Sequence, residues 1–177
     1  MDGARLEKGK DYIGVGVGAL IAEGGRVLLL QRLTPPEAGR WGIQGGAVEF
    51  GETVEAALVR EVREELSVEV EIVAPLGVTD HILPDEGAHW VSPVFLVRVA
   101  VGTPRNAEPA KHGELRWFPL DAPPADLTLT ARNALRLLRA CWPGAGGRDT
   151  PHLGADDGPS DWPDRLARGD DAAPFGG

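Results

Sequence analysis

The sequence predicts an α/β fold in which a mixed β-sheet is covered by helices. Segments rich in Val, Ile, Leu, Phe and Trp recur along the chain at strand length, and two of them flank a glycine turn. Two longer stretches, one in the middle of the chain and one near residue 140, have the composition or spacing of helices. Strands in hairpins combined with two such helices are typical of a sheet covered by helices.

The first two strands are predicted at residues 12–21 and 26–33. They flank Glu23-Gly24-Gly25, a turn typical of an antiparallel hairpin. Three glycines alternate along the first of these strands and therefore share one face: Gly14, Gly16 and Gly18. We expect a helix to pack on this face, with the close approach of a ligand as the alternative.

The mid-chain helix is predicted over residues 53–66, a run of good helix formers without Gly or Pro. Further strands are expected at residues 68–73, 78–83, 89–101 and 114–119. The second helix is predicted over residues 128–141, where leucines recur at helical spacing, and Trp142-Pro143-Gly144 ends it. His81 and His89 are expected in solvated loops, with a place beside a substrate as the alternative.

One domain and a tail account for the whole chain. The 177 residues suffice for one hydrophobic core but not for two domains of ordinary size. We place the domain at residues 1–142 and the tail at residues 143–177. Gly and Pro make up 13 of the 35 tail residues and seven more are Asp. Such a segment buries too little apolar surface to offset its ordering entropy, so we expect it to be flexible.

Composition excludes several classes of function. A net charge of −9 argues against binding to a nucleic-acid polymer or an anionic membrane. The single cysteine, Cys141, excludes a disulfide framework and a cysteine-based zinc site. The first apolar run, residues 12–22, is far shorter than the roughly 20 residues of a membrane-spanning helix. We therefore expect a soluble cytoplasmic protein; a homodimer is left open.

The chemistry concentrates in residues 41–68. A glycine-rich loop leads into the predicted mid-chain helix, which carries Glu61, Glu64 and Glu65. At about 100° per residue these three carboxylates fall within an arc of roughly 100°, where they repel one another. A solvated acidic face is the ordinary alternative. Carboxylates crowded in this way also suit a hard divalent cation such as Mg²⁺ or Mn²⁺.

The spacing across this region decides between the two interpretations. Gly46, five residues, Glu52, seven residues and then Arg60-Glu61-Val62-x-Glu64-Glu65 resembles the signature box of the Nudix hydrolase superfamily. The resemblance covers residues 12–141 and implies an α/β/α sandwich with a mixed sheet between helices. Two positions depart from the family pattern. Ser67 replaces a glycine that would cap the helix in the left-handed conformation, and Gln44 replaces a frequent proline.

The resemblance also implies roles for the acids. Glu61, Glu64 and Glu65 would bind the catalytic metal, Mg²⁺ or alternatively Mn²⁺. Arg60 would orient Glu61, and the carbonyl of Gly45 would complete the coordination. These ions would bridge the acidic helix and an anionic diphosphate, which would otherwise repel each other.

Supporting and basic residues follow from the same resemblance. Glu52 and Gly46 would support the junction between loop and helix. A further acid from a later loop often joins the metals or acts as the base in this family, and Glu114 is the first candidate, with Glu108 second. Either Glu61 or Glu114 would take the proton of the attacking water.

The order of segments looks most like the small nucleoside-triphosphate pyrophosphohydrolases. We therefore expect a nucleoside or deoxynucleoside triphosphate as the substrate, converted to monophosphate and pyrophosphate. Phe50, Trp90 and Tyr12 are candidates for stacking on the base, although each also suits the core. The alternatives are ADP-ribose, a nucleoside diphosphate or a dinucleoside polyphosphate as substrate, or a non-catalytic domain that senses a nucleotide. A scaffold role through the tail is a weaker possibility.

Overall fold

A computed structural model of the chain describes residues 6–142, and the predicted tail lies outside the described residues. The elements follow the chain in this order: β1 (Gly14–Glu23), β2 (Arg26–Arg32), β3 (Trp41–Gly42), β4 (Gln44–Ala47), α1 (Val54–Leu66), β5 (Glu69–Leu83), a 3₁₀ turn (Pro84–Glu86), β6 (Ala88–Val101), β7 (His112–Pro119) and α2 (Leu129–Cys141). Within residues 6–142, no helix is both long and apolar enough to cross a membrane.

The strands form one mixed sheet of seven strands. Its main order is β3-β2-β1-β6-β5, while β4 pairs with β1 and β7 pairs with β2. Strands β1 and β6 run parallel, and the other pairs are antiparallel. The predicted hairpin of β1 and β2 is present, and the mixed sheet is confirmed.

Each face of the sheet is covered by one helix. Alternate residues of β1, among them Val17 and Ala19, share a buried cluster with Leu58 and Val62 of α1. Leu20, on the opposite face of β1, shares a second cluster with residues of α2. The structure is therefore the α/β/α sandwich that the resemblance implied.

The two helices begin where the sequence predicts. Thr53 and Thr128 precede α1 and α2, and the side chain of each accepts a hydrogen bond from a backbone N–H in the first turn. Ser67 ends α1 in the left-handed conformation, with φ 55° and ψ 39°, and its N–H donates to the carbonyl of Arg63. Ser67 thus adopts the left-handed conformation in which a glycine was expected, at a cost on the order of 1 kcal/mol.

Two predictions about strands are wrong. Residues 68–73 and 78–83 belong to a single strand, β5, whose register with β6 shifts near Pro75 and Gly77. Because β5 lies at the edge of the sheet, a proline at an irregular position does not end its pairing. The segment expected to be a loop after Trp41 contains β3 and β4, and Gly45 and Gly46 of β4 pair with Gly18 and Val17.

Gln44, at the position where a proline was expected, is buried in β4. Its exposure is 1%, and its side-chain amide nitrogen donates to the carbonyl of Leu28 at 3.4 Å. The amide oxygen has no hydrogen-bond partner among residues 6–142. The substitution thus places a polar group in the core at the point where β4 meets the sheet.

Candidate active site

Helix α1 carries Glu61, Glu64 and Glu65, and Glu61 interacts electrostatically with each of the other two. Burial raises the pKa of Glu61; Arg60 opposes this rise and the charge of Glu64 adds to it. Glu65 is only 5% exposed. Burial raises the pKa of Glu65 to about 8, against the hydrogen bond from Gly45, and the charge of Glu61 adds to the rise. Ionisation of Glu61 and Glu65 is therefore disfavoured in the metal-free protein, and a bound cation would relieve this cost.

Arg60 joins the acids to the preceding loop. Its Nε donates to Glu52 at 2.9 Å, and its Nη1 donates to Glu61 at 2.8 Å. Its Nη2 donates to the carbonyl of Ala47 at 3.1 Å and to the second oxygen of Glu52 at 3.0 Å. This network, led by the hydrogen bonds from Arg60, holds the pKa of Glu52 below its ordinary value. The guanidinium thus fixes both the loop and the orientation of Glu61.

The glycines of β4 let the acids lie against the backbone. The N–H of Gly45 donates to Glu65 Oε2 at 3.1 Å. A β-carbon added at Gly46 would collide with the carboxylate of Glu61. A glycine at position 46 is therefore required for Glu61 to occupy its place.

Glu108, in the segment that precedes β7, and His112, the first residue of β7, both approach Glu65. Ligand atoms of Glu65, Glu108 and His112 all lie within 4.8 Å of one another. This segment docks on the end of α1, where Arg105 N–H donates to the carbonyl of Leu66, and Ala107 N–H donates to the backbone carbonyl of Glu65. The docking satisfies carbonyl groups that a helix end leaves free, and it positions Glu108 beside Glu65.

Burial, followed by the charge of Arg32, lowers the pKa of His112. His112 Nε2 lies 3.6 Å from Glu65 Oε1. That distance exceeds a hydrogen bond, and His112 Nδ1 is buried without a partner within residues 6–142. The ring is therefore a neutral imidazole without a hydrogen bond from the described residues.

Glu114, the first candidate for a later-loop acid, lies elsewhere. It is on β7, where its carboxylate accepts from Arg116 at 2.9 and 3.0 Å. The neighbouring Leu115 and Trp117 pack on the α1 side, so alternation turns Glu114 to the α2 side. The structure brings Glu108, the second candidate, to the acids instead.

A pocket lies on the sheet face that α2 covers. Its lining includes Gly16 and Gly18 of β1, Arg32 of β2, the residues of β4, His81 of β5, Trp90 and Ser92 of β6, and Thr128 and Thr130 at the start of α2, together with Pro36 and Glu37. Of the three residues predicted to stack on a base, Trp90 lines this pocket. Phe50 is fully exposed and Tyr12 is about half exposed; neither belongs to its lining.

The alternating glycines of β1 serve this pocket and the neighbouring strands. A β-carbon at Gly16 would lie 2.7 Å from Ser92 Oγ, and one at Gly18 would lie 2.8 Å from Ile43 Cδ1. The expectation that a helix packs on them is therefore wrong. The absent side chains leave room for Ser92 of β6, for Ile43 between β3 and β4, and for the pocket that both glycines line.

Glu37 is a buried residue that lines the pocket, and the sequence analysis did not identify it. Glu37 lies 2.8 Å from His81 Nε2 and accepts from the N–H of Leu129 at 2.9 Å. Burial disfavours the charge, but these two hydrogen bonds outweigh it and keep the pKa of Glu37 below its ordinary value. His81 is half-buried on β5, so the expectation of a solvated loop residue is wrong. No motif in a single sequence marks such a long-range contact.

The donor set fits a divalent cation. Glu65 and Glu108, which lie together with His112, offer carboxylate oxygens, the ligands that hard divalent ions prefer. The raised pKa of Glu65 and the unpaired ring of His112 mark positions where the protein alone leaves polar groups incompletely satisfied. Strand β4 contacts these acids and also lines the pocket.

Comparison with known proteins agrees with this arrangement. A family model described as NUDIX domain matches residues 12–138. The chain is 35% identical over 111 residues to "ADP-ribose pyrophosphatase" of Methanocaldococcus jannaschii, covering 62% of this chain and 66% of that relative. It is 41% identical over 104 residues to "Putative 8-oxo-dGTP diphosphatase 2" of Mycobacterium tuberculosis, covering 57% of this chain and 70% of that relative. The solved MutT NUDIX hydrolase of Burkholderia pseudomallei is 46% identical, with a TM-score of 0.70, covering 72% of this chain and 98% of that one.

Proposed function

The chain belongs to the NUDIX family, its relatives indicate a pyrophosphohydrolase, and from this premise we propose that it cleaves the diphosphate bridge of a nucleotide with the help of Mg²⁺. The proposed substrate is a nucleoside or deoxynucleoside triphosphate, and the products are the monophosphate and pyrophosphate. One observation carries the proposal: the buried carboxylates of α1 lie against the same glycine strand, β4, that lines the pocket.

The acids of α1 are the proposed metal ligands. Glu61, Glu64 and Glu65 would hold the ion, with Mn²⁺ as the alternative to Mg²⁺, and the carbonyl of Gly45 stays a proposed ligand. When bound, such an ion neutralises phosphate charge and lowers the pKa of a bound water. Arg60 keeps Glu61 in one orientation through a hydrogen bond of 2.8 Å.

Glu61 is the proposed general base. Burial raises its pKa, and a base works best when its pKa lies closer to the operating pH. Glu114 was the other candidate, and its place on the α2 side, paired with Arg116, speaks against that role. Glu108 lies closer to Glu65 and is the better substitute if Glu61 serves the metal alone.

The pocket is the proposed site of the nucleoside. Trp90 offers an aromatic surface for a base, and Ser92, Thr128 and Thr130 offer hydroxyl groups that donate or accept hydrogen bonds. The phosphate chain would run from this pocket along β4 to the acids. The Mycobacterium tuberculosis relative, named for 8-oxo-dGTP, supports a triphosphate substrate.

ADP-ribose is the second candidate substrate. The Methanocaldococcus jannaschii relative is named ADP-ribose pyrophosphatase, and its identity of 35% gives this alternative specific support. Cleavage of ADP-ribose would yield AMP and ribose phosphate, products that differ in mass from those of a triphosphate. A cytoplasmic location and a homodimer both stay predictions.

A nucleotide panel with Mg²⁺ tests the proposal. Purified protein is incubated with nucleoside triphosphates, 8-oxo-dGTP, nucleoside diphosphates, dinucleoside polyphosphates and ADP-ribose, and the products are identified by mass. We expect monophosphate and pyrophosphate from a triphosphate, and a loss of at least about 100-fold in kcat for Glu65→Gln. Glu55→Gln is the matched control, because Glu55 is an exposed glutamate in the first turn of the same helix.

Three outcomes count against the proposal. If ADP-ribose is the one nucleotide hydrolysed, the proposed triphosphate substrate is wrong and ADP-ribose replaces it. Nucleotide binding without turnover would favour a sensor, and full turnover by Glu65→Gln at limiting Mg²⁺ would remove Glu65 from the metal ligands.

A further inference from the structure

His112 offers an imidazole beside Glu65, and the proposed function gives this imidazole no role. Its side chain is nine-tenths buried, and its Nδ1 has no hydrogen-bond partner among residues 6–142. Its Nε2 lies 3.6 Å from Glu65 Oε1, which is beyond hydrogen-bond distance. A buried polar group without a partner costs on the order of 1–3 kcal/mol. Nε2, the nitrogen that faces Glu65, is therefore also without a hydrogen bond from the described residues and is open to a ligand that the protein itself does not supply.

The ring points at the acids. Two donor atoms bound at about 2.1 Å to one ion are separated by roughly 3.0–3.4 Å in octahedral or tetrahedral geometry. His112 Nε2 and Glu65 Oε1 are 3.6 Å apart, so a shift of a few tenths of an ångström brings both to one ion. Glu108 completes a group of three ligand atoms that lie within 4.8 Å of one another.

One carboxylate oxygen of Glu108 is available to bind an ion. Lys111 Nζ donates to Glu108 Oε1 at 2.6 Å, and the lysine side chain is well exposed. No described hydrogen bond uses the other oxygen of Glu108, and only the N–H of Gly45 donates to the carboxylate of Glu65 among residues 6–142. Two carboxylates and an imidazole therefore lie together, from α1, from the segment that precedes β7 and from the first residue of β7.

We propose that His112 supplies an imidazole nitrogen to an ion held by Glu65 and Glu108, and that this nitrogen makes the position select a transition-metal ion such as Mn²⁺ over Mg²⁺. The inference rests on the proposed function for the role of Glu65 as a metal ligand. Its physical basis is that Mn²⁺, although it also favours oxygen ligands, accepts an imidazole nitrogen more readily than Mg²⁺, which prefers oxygen ligands and keeps several waters. The oxygen-only acids of α1 would not provide this discrimination.

Pulsed electron paramagnetic resonance of Mn²⁺ bound to the full chain tests this ligand directly. We expect nitrogen hyperfine coupling from one imidazole, which changes when the protein is labelled with ¹⁵N-histidine. The coupling is lost in His112→Gln and retained in His89→Gln, a matched control because His89 lies on β6 outside the group. Bound Mn²⁺ without histidine coupling in the unsubstituted protein overturns the proposal, and this arm does not depend on any variant folding.

Metal affinity gives a second readout. Calorimetric titration should show Mn²⁺ binding weakened at least about tenfold in His112→Gln, with Mg²⁺ binding weakened less than about threefold. Equal losses for both ions would refute the claimed selectivity.

The nucleotide panel, run in parallel, separates this inference from the proposed function. If nucleotides are hydrolysed but no histidine coupling is seen, the proposed function stands and His112 is not a metal ligand. If histidine coupling is seen but no nucleotide is hydrolysed, the metal site stands and the proposed reaction is refuted.

Discussion

Replacing Glu65 by glutamine is expected to stabilise the metal-free protein at neutral pH. The carboxyl of Glu65 is 5% exposed and lies beside Glu61 and Glu108. Its pKa is about 8 in the folded protein against 4.5 in the reference state. A carboxyl group whose pKa rises on folding supports the fold while it stays protonated. Its contribution is therefore lost as the pH rises from about 4.5 to about 8.

The magnitude follows from these two pKa values. The difference corresponds to about 5 kcal/mol between the limits of low and high pH, and to about 3 kcal/mol at pH 7. Glutamine has the same shape and cannot ionise. The variant should therefore unfold with a free energy about 3 kcal/mol higher than the parent at pH 7 without metal, and the difference should vanish near pH 4.5.

Urea denaturation followed by tryptophan fluorescence, in EDTA and across pH 4.5–8, measures this difference. Glu64→Gln is the control: its carboxylate is half exposed, so its effect should stay within about 0.5 kcal/mol. Added Mn²⁺ should stabilise the parent more than Glu65→Gln, because only the parent keeps the carboxylate. A variant that is less stable than the parent at pH 7 in EDTA, or a difference that does not change with pH, would refute the reasoning.

Three further substitutions test separate parts of the structure. Ser67→Gly should raise the free energy of unfolding by about 1 kcal/mol and the melting temperature by roughly 2–4 °C, because glycine adopts the left-handed cap without strain. Gly46→Ala should lower kcat at least about 100-fold in the nucleotide assay, since the new β-carbon collides with the carboxylate of Glu61; an unchanged kcat would contradict this. Glu37→Gln should destabilise the fold by about 1–3 kcal/mol in thermal melts and raise KM, because the start of α2 and one wall of the pocket lose a shared anchor.

Local features of the fold were predictable because they depend on neighbours in the sequence. Thr53 and Thr128 mark the helix starts through a side chain that caps the next turn, and the glycine turn marks the first hairpin. The spacing of the acids on α1 depends only on helix geometry. The same local logic failed at Pro75, because a sheet edge tolerates a proline that a central strand would not.

The parts of the site that depend on register could not be predicted. Whether Glu108 or Glu114 approaches the acids is decided by the alternation of β7 and by the docking of the preceding segment on the end of α1. A shift of the β2–β7 register between Leu30 and Arg32 accompanies the pairing of His112 with Arg32. A register shift of this kind changes which side chains share a face, and no residue spacing encodes it. The contact of Glu37 with His81 joins positions 44 residues apart and is equally invisible in the sequence.

The position of β4 between the acids and the pocket has a consequence for how substrate preference can change in this fold. The strand touches the carboxylates through a backbone amide and a missing side chain, while the cavity on its other side is shaped by Trp90, Ser92 and the start of α2. Under the proposed function, exchanging Trp90 or Ser92 should change which nucleotide binds while the contacts of β4 with Glu61 and Glu65 stay in place. A redesign for a new substrate would then need changes only among the residues that line the pocket.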